Sequence, residues 1–149
     1  MREILFKAKR LDNDEWVEGN LILTPKADED LKAIIIPFDD NGEYTEGVYN
    51  NDLGFEIWYK VDITTICQYT GLTDKNGQKI WENDIVKDVE FGEYRAVVAY
   101  GAFNCSCCNG VYGWTFESTG GYSQVCDIRD TSMVEVIGNI FDNKELLGG

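Results

Sequence analysis

The stretch that decides the fold is Tyr69 to Asp88, which reads YTGLTDKNGQKIWENDIVKD. Its first part, Asp74-Lys75-Asn76-Gly77, contains residues that tolerate the positive φ angles of a tight β-turn. Residues 78–81 then return the chain to extended structure, and the polar residues at 82–84 precede the β-branched pair Ile85-Val86, a pattern typical of a strand entrance in a small barrel. The stretch therefore predicts a scaffold element and does not by itself indicate a chemistry.

Alternation of apolar and polar residues predicts strands on the N-terminal side of this turn. Met1 to Arg10 has a period near two, Leu11 to Glu15 is polar, and Trp16 to Leu23 resumes the alternation, which together predict a β-hairpin. The β-branched run within Lys32 to Phe38 predicts a buried strand. Phe55 to Val61 carries large apolar side chains at alternate positions, which predicts a further strand.

A short turn, a series of strand candidates and a Gly- and Cys-rich segment follow toward the C-terminus. Asp62 offers a side-chain oxygen as the N-cap of a brief turn over Ile63 to Ile66. Short strand candidates then follow, separated by Gly-containing turns, and this spacing is typical of a small closed barrel. The segment Gly101 to Gly121 is rich in Gly, Cys and aromatic residues, and we interpret it as a long hairpin loop. The strand candidates are Ile85-Val86, Tyr94 to Tyr100, Trp114 to Phe116 and Val134 to Ile137.

Three blocks of the sequence resemble the YopX family of bacteriophage and prophage proteins. They read MREILFKAKRLDNDEWVEG at 1–19, YTGLTDKNGQKIWENDIV at 69–86 and VEVIGNIFDN at 134–143, while 24–60 and 101–130 match poorly. The resemblance implies a phage-derived protein with an SH3-like small barrel in its C-terminal half. It implies no activity, cofactor or catalytic residue.

Periodicity and resemblance together predict a mainly β fold with few short helices. We expect an N-terminal β lobe at 1–68 and an SH3-like barrel at 69–149 packed on it. The 149 residues suit one domain or two small lobes, and 44% hydrophobic content indicates a folded chain. No apolar run approaches the roughly 18 residues of a membrane span, and the N-terminus has no signal-peptide pattern. We therefore expect a location in the cytoplasm of a bacterial host cell, without a membrane partner.

The charge of the chain is strongly negative. It has 27 acidic and 13 basic side chains, no His, and a formal net charge of −14. Nucleic-acid binders depend on Lys and Arg to displace counterions, so direct binding of nucleic acid is disfavoured. The acidity either serves solubility alone or directs the protein to a partner. In the second case the chain would mimic nucleic acid and occupy a DNA-binding protein.

Two groups of residues are weak candidates for a metal or catalytic site. Four cysteines could supply thiolates to zinc: Cys105, Cys107, Cys108 and Cys126. They form one cluster and a single distant Cys, however, whereas structural zinc sites usually use two separate C-x-x-C pairs. Glu82 and Asp84 could act as acid and base or as magnesium ligands, because alternate strand residues share a face. Small buried or loop thiols, and carboxylates that satisfy backbone N–H groups, are the favoured interpretations. We predict no metal and no cofactor.

The composition also predicts that the protein is not an enzyme. Without His, Ser-His and Cys-His nucleophile pairs are excluded, and no glycine-rich phosphate loop occurs. The abundant Trp and Tyr residues favour core or interface packing. The predicted function is a non-enzymatic phage accessory protein that binds an unknown host or phage protein and forms homo-oligomers. The alternatives are the nucleic-acid mimic and a carboxylate- or metal-dependent enzyme.

Overall fold

The chain is mainly β, with few short helices, as the sequence predicts. The computed structural model describes residues 3–24, 26, 32–38, 46–49, 52–55, 57–88, 95–105, 108–118, 126–127 and 131–147. The strands are antiparallel, and short 3₁₀ helices lie at Ile63–Thr65 and Lys144–Leu146. The chain divides into two compact units, Met1–Gln68 and Tyr69–Gly149.

Strand β7 crosses the boundary between the two units, and the other strands belong to one or the other. The first unit contains β1 (Phe6–Lys9), β2 (Trp16–Leu23), β3 (Ala33–Pro37), β4 (Glu46–Tyr49), β5 (Asp52–Phe55), β6 (Tyr59–Lys60) and the start of β7 (Cys67–Thr73). The second continues β7 and contains β8 (Lys79–Trp81), β9 (Asp84–Asp88), β10 (Arg95–Cys105), β11 (Cys108–Ser118), β12 (Cys126–Asp127) and β13 (Val134–Asn139).

The first unit is built on the predicted hairpin of β1 and β2, which the structure confirms. Strand β2 pairs on its other side with β3, and β3 pairs with β6, while β4 and β5 pair with each other. Residues of β1, β2 and β3 face a common core. A side chain at Gly19 would overlap the backbone carbonyl oxygen of Ile36, so β2 and β3 pack closely at this point. The buried core residues are Ala8, Val17, Ala33, Ile35 and Val61.

The prediction of one continuous strand from Phe55 to Val61 is wrong. Strand β5 ends at Phe55, and β6 covers only Tyr59 and Lys60. The register that pairs Ile35 with Tyr59 would bring Pro37 opposite residue 57. The Val61 N–H donates to the Ala33 carbonyl, so alternation turns the backbone groups of residue 37 toward β6 as well. Proline has no N–H to donate, and the ladder stops before it.

The structure confirms the predicted cap at Asp62. Its Oδ1 atom accepts hydrogen bonds from the Thr64 N–H at 2.9 Å and from the Thr64 hydroxyl at 2.7 Å. The Thr65 hydroxyl donates to the Asp62 carbonyl and accepts from the Lys9 N–H at 2.9 Å. The short helix is thereby tied to β1.

The second unit contains a five-stranded antiparallel sheet in the order β12-β11-β10-β9-β13. Its core consists of buried side chains from β8, β9, β10 and β13, and Trp81 packs against Tyr69 with ring centroids 5.4 Å apart. The SH3-like form of this unit remains a prediction. The buried core residues are Ile80, Val86, Ala96, Val98 and Val134.

The interpretation of Gly101 to Gly121 as a long loop is wrong. Strands β10 and β11 run through most of it as a hairpin of two 11-residue strands. Gly101 pairs directly with Gly113, and pairing continues to Cys105 and Cys108. Glycine is a weak strand former, but pairing with a long partner strand outweighs this local preference. The composition of this segment therefore did not reveal its two 11-residue strands, the longest among the described residues of the unit.

The turn at Asp74-Lys75-Asn76-Gly77 is held by the carboxylate of Asp74. Gly77 has a φ of 77°, as the turn prediction requires. One carboxylate oxygen of Asp74 accepts from the N–H groups of Asn76 at 2.8 Å and Gln78 at 2.9 Å. The other accepts from the Val136 N–H of β13 at 3.0 Å. The side chain thus takes the place of a neighbouring strand at the edge of β13.

The same hydrogen bonds determine the ionisation of Asp74. Burial by itself would raise the pKa of the carboxyl group, because it disfavours the charged form. The backbone N–H groups of Val136, Gln78 and Asn76 outweigh this effect, with a smaller contribution from the charge of Lys75, and they lower the pKa below its usual value. The turn is therefore held by a charged side chain.

Candidate functional site

Asp84, one of the carboxylates singled out in the sequence, binds the backbone of its own turn. It is only 2% exposed, and its Oδ2 atom accepts from the Trp81 N–H at 2.8 Å. Asn83, which lies between Trp81 and Asp84, has a φ of 68°, and this lets the chain turn tightly from β8 into β9. Glu82 is half-buried in the same turn. The contacts of Asp84 are those of a carboxylate that satisfies a turn, which is the interpretation that the sequence favours.

The register of the second sheet separates the backbone positions of the candidate cysteines. Cys105 and Cys108 pair at the end of the β10–β11 hairpin, whereas Cys126 pairs with Phe116. Phe116 is eight residues further along β11 than Cys108, or about 27 Å at about 3.4 Å per residue. Zinc ligands lie about 2.3 Å from the ion, so these strands do not bring Cys126 to the other two. Cys107 lies outside the described residues.

The remaining cysteine and the acidic residues form no metal site in the described part of the chain. Cys67 is buried in the first unit, and its thiol donates to the Thr65 carbonyl at 3.3 Å. No group of three or more Cys, Asp or Glu side chains among the described residues is arranged to hold a metal ion. None of the described helices has the length and apolar character that crossing a membrane would need.

A surface cleft in the first unit is a candidate binding site. Its volume is about 410 Å³, within the range of small ligand pockets. The Leu11 N–H donates to the Lys60 carbonyl at 3.0 Å, which joins the turn after β1 to β6 and sets the position of the cleft. Leu11 is 46% exposed and Trp58 is 44% exposed. The cleft is lined by Leu11, Asp12, Trp58, Tyr59 and Lys60.

An ion pair fixes one wall of this cleft. Arg10 donates to Asp12 through Nε at 2.9 Å and through Nη2 at 2.6 Å, and its guanidinium lies 4.0 Å from the centre of the Tyr59 ring. The hydrogen bond from Arg10 lowers the pKa of Asp12, and the same bond raises the pKa of Arg10. Two charged groups are thus held beside exposed apolar side chains, an arrangement suited to contact with a protein segment.

The sequence did not predict this cleft, although one signal for it was present. Ile57, Trp58 and Tyr59 are three consecutive large apolar residues. Successive strand residues face opposite sides, so such a run cannot send every side chain to one core. Ile57 and Trp58 are both exposed. The contribution of Leu11, distant in sequence, follows only from the pairing of its backbone with Lys60.

The four tryptophans lie in different environments. Lys7 and Lys9 lie over the ring of Trp16, at 4.7 and 5.5 Å from its centroid. Trp81 is buried, Trp114 is half-buried and Trp58 is exposed. Core or interface packing is the favoured interpretation of the aromatic residues; Trp81 lies in the core, whereas Trp58 is exposed.

Comparisons with known proteins agree with this architecture. The chain is similar to protein EF1440 from Enterococcus faecalis, a solved crystal structure, with 21% sequence identity, 99% of each chain covered and a TM-score of 0.54. At this identity the similarity concerns the fold alone. No curated protein matches the sequence. The family described as YopX protein matches residues 5–148, and the chain therefore belongs to the YopX family.

Proposed function

We propose that this chain is a non-enzymatic accessory protein of a bacteriophage or prophage that binds another protein through the cleft of its first unit and also self-associates. The supporting observation is the exposure of Leu11 and Trp58 around one cleft in a chain that is otherwise strongly charged. Tryptophan is enriched among the residues that dominate binding energy at protein interfaces. The proposed ligand of the cleft is a protein segment that inserts an apolar side chain.

The exposed area of Trp58 gives the expected strength of its contribution. A fully open Trp offers roughly 250 Å², so 44% corresponds to about 110 Å². Its burial at ~25 cal/mol/Å² contributes about 2.7 kcal/mol, or about 100-fold in affinity. This is an upper value, since a partner leaves part of the ring accessible. The net charge of −14 favours a partner with a basic surface around the inserted side chain.

The test is affinity capture from a lysate of the host bacterium with the full chain and matched variants. Leu11→Ala and Trp58→Ala remove the apolar walls of the cleft. Leu23→Ala is the control, because Leu23 is the same residue type, is 53% exposed and does not line the cleft. We expect a protein that is retained by the wild type and by Leu23→Ala and lost by both cleft variants. Equal retention by all four proteins would contradict the proposal.

A further inference from the structure

The hairpin of β10 and β11 extends an apolar face beyond the core of the second unit. Tyr100 pairs with Trp114 and Val98 pairs with Phe116, and directly paired residues of an antiparallel ladder share a face. Val98 is fully buried on this face, whereas Tyr100 is 57% exposed. The face that covers the core therefore continues into solvent along the same two strands.

Aromatic side chains occupy the exposed end of this face. Tyr112 lies two residues before Trp114 on β11, so it is on the same face, and it is 71% exposed. Tyr100 meets Trp114 edge to face with centroids 5.1 Å apart. The Trp114 indole N–H is buried and has no acceptor in the part of the chain that the structure describes. We call Tyr100, Tyr112 and Trp114 the hairpin patch.

Charge is absent from most of the hairpin around this patch. The 21 residues from Ala96 to Phe116 include no Asp, Glu, Lys or Arg, although 27% of the chain is charged and about six charges would be expected in that length. Arg95 and Glu117 flank the stretch on either side. This stretch of the β10–β11 hairpin is thus neutral within a protein of net charge −14.

We propose that the hairpin patch is the surface through which two copies of this chain associate. Two copies that each carry −14 repel one another, and a neutral aromatic surface is where they approach with least repulsion. A basic partner would gain more from the acidic surface than from this face. In a two-fold dimer the same patch occurs on both sides of the contact, so the Tyr112 ring of each copy is buried against the other.

The area of the patch is consistent with the centre of such an interface. Tyr100 and Tyr112 together expose about 250 Å² per copy, taking roughly 200 Å² for an open tyrosine. A standard interface buries about 800 Å² per partner. The two rings therefore supply about a third of that area, as the apolar centre of the contact.

The inference rests on the self-association part of the proposed function, and sedimentation equilibrium of the full chain tests it. Tyr112→Glu places a negative charge in the centre of the contact on an exposed side chain whose replacement leaves the core intact. We expect it to raise the dimer dissociation constant at least tenfold. Tyr112→Phe should stay within threefold of the wild type. Met133→Glu, which changes another exposed apolar residue of the same unit to the same charge, should also stay within threefold.

Each outcome of this experiment is decisive. Because salt screens the repulsion between copies, raising the salt concentration from 50 to 500 mM should lower the dissociation constant of the wild-type dimer. A wild type that is monomeric up to several hundred micromolar, at both salt concentrations, would refute self-association and this surface, while the cleft would be unaffected. A dimer that resists Tyr112→Glu would refute the hairpin patch and leave self-association in place.

Discussion

Replacing Asp74 with Asn tests the hydrogen bonds that hold the central turn to β13. The carboxylate accepts three backbone N–H groups, two on one oxygen and one on the other. The amide of Asn has a single acceptor oxygen, so it can serve Asn76 and Gln78 or Val136, but not all three. In the first arrangement its NH₂ group faces the Val136 N–H, and two donors meet in a buried position.

The cost follows from the group that is left unsatisfied. A buried donor without an acceptor costs about 1–3 kcal/mol, and hydrogen bonds to a charged acceptor contribute about 1.5–3 kcal/mol. We therefore expect Asp74→Asn to lower the free energy of unfolding by about 2 kcal/mol at pH 7. For a chain of this length that corresponds to a decrease in Tm of about 6 °C.

The effect should depend on pH in a defined direction. The pKa of Asp74 is lower in the folded protein than its ordinary value of about 3.9. A group of this kind stabilises the fold above its unfolded pKa, and its contribution is lost as the pH falls through the folded pKa. The difference in stability between wild type and Asp74→Asn should therefore be constant from pH 5 to pH 7 and decrease below about pH 4.

Urea unfolding followed by circular dichroism at several pH values measures this difference. The control is Asp14→Asn, which removes the same charge at an exposed position where the φ of 58° suits Asn. We expect the control to lie within about 0.5 kcal/mol of the wild type. A variant Asp74→Asn that is as stable as the control, or a difference that grows toward acid pH, would refute the assigned role of the carboxylate.

Two further predictions concern the alternatives to protein binding. Asp84→Ala removes the acceptor of the buried Trp81 N–H and should lower the free energy of unfolding by about 2 kcal/mol, measured by urea unfolding. We expect no hydrolytic activity of the wild type with Mg²⁺ or Mn²⁺. A hydrolytic activity that Asp84→Ala abolishes without loss of fold would instead establish an enzyme. If the acidic surface mimics nucleic acid, capture from host lysate should retain a DNA-binding protein at low salt and release it steeply as salt rises, because exposed charges are screened within about 8 Å at physiological ionic strength. Absence of any DNA-binding protein at low salt would exclude the mimic.

Local chemistry made several elements of the fold predictable. The alternation on either side of Leu11 to Glu15 placed the first hairpin, because a half-buried strand needs one apolar face. The cap at Asp62 and the turn ending at Gly77 follow from side chains and φ angles within four residues of each other. In each case the interaction that decides the structure lies between residues close together in the sequence.

The failures come from interactions between distant residues. Strand β6 is short because Pro37, about 20 residues earlier, has no N–H to offer it. Strands β10 and β11 are long because each supplies the other with a partner, which composition does not record. The candidate cleft depends on the hydrogen bond between Leu11 and Lys60, so only its wall at Trp58 and Tyr59 had a signal in the sequence.

The two proposed contacts should respond to salt in opposite directions, because the net charge attracts a basic partner but repels a second copy of the chain. A basic protein bound at the cleft is attracted by the net charge of −14, so screening weakens that complex. Copies joined through the neutral hairpin patch are repelled by the same charge, so screening strengthens their association. Opposite salt dependences within one preparation would therefore assign the two contacts to different surfaces, whereas a common decrease with salt would mean that self-association also uses charged residues and does not centre on Tyr112.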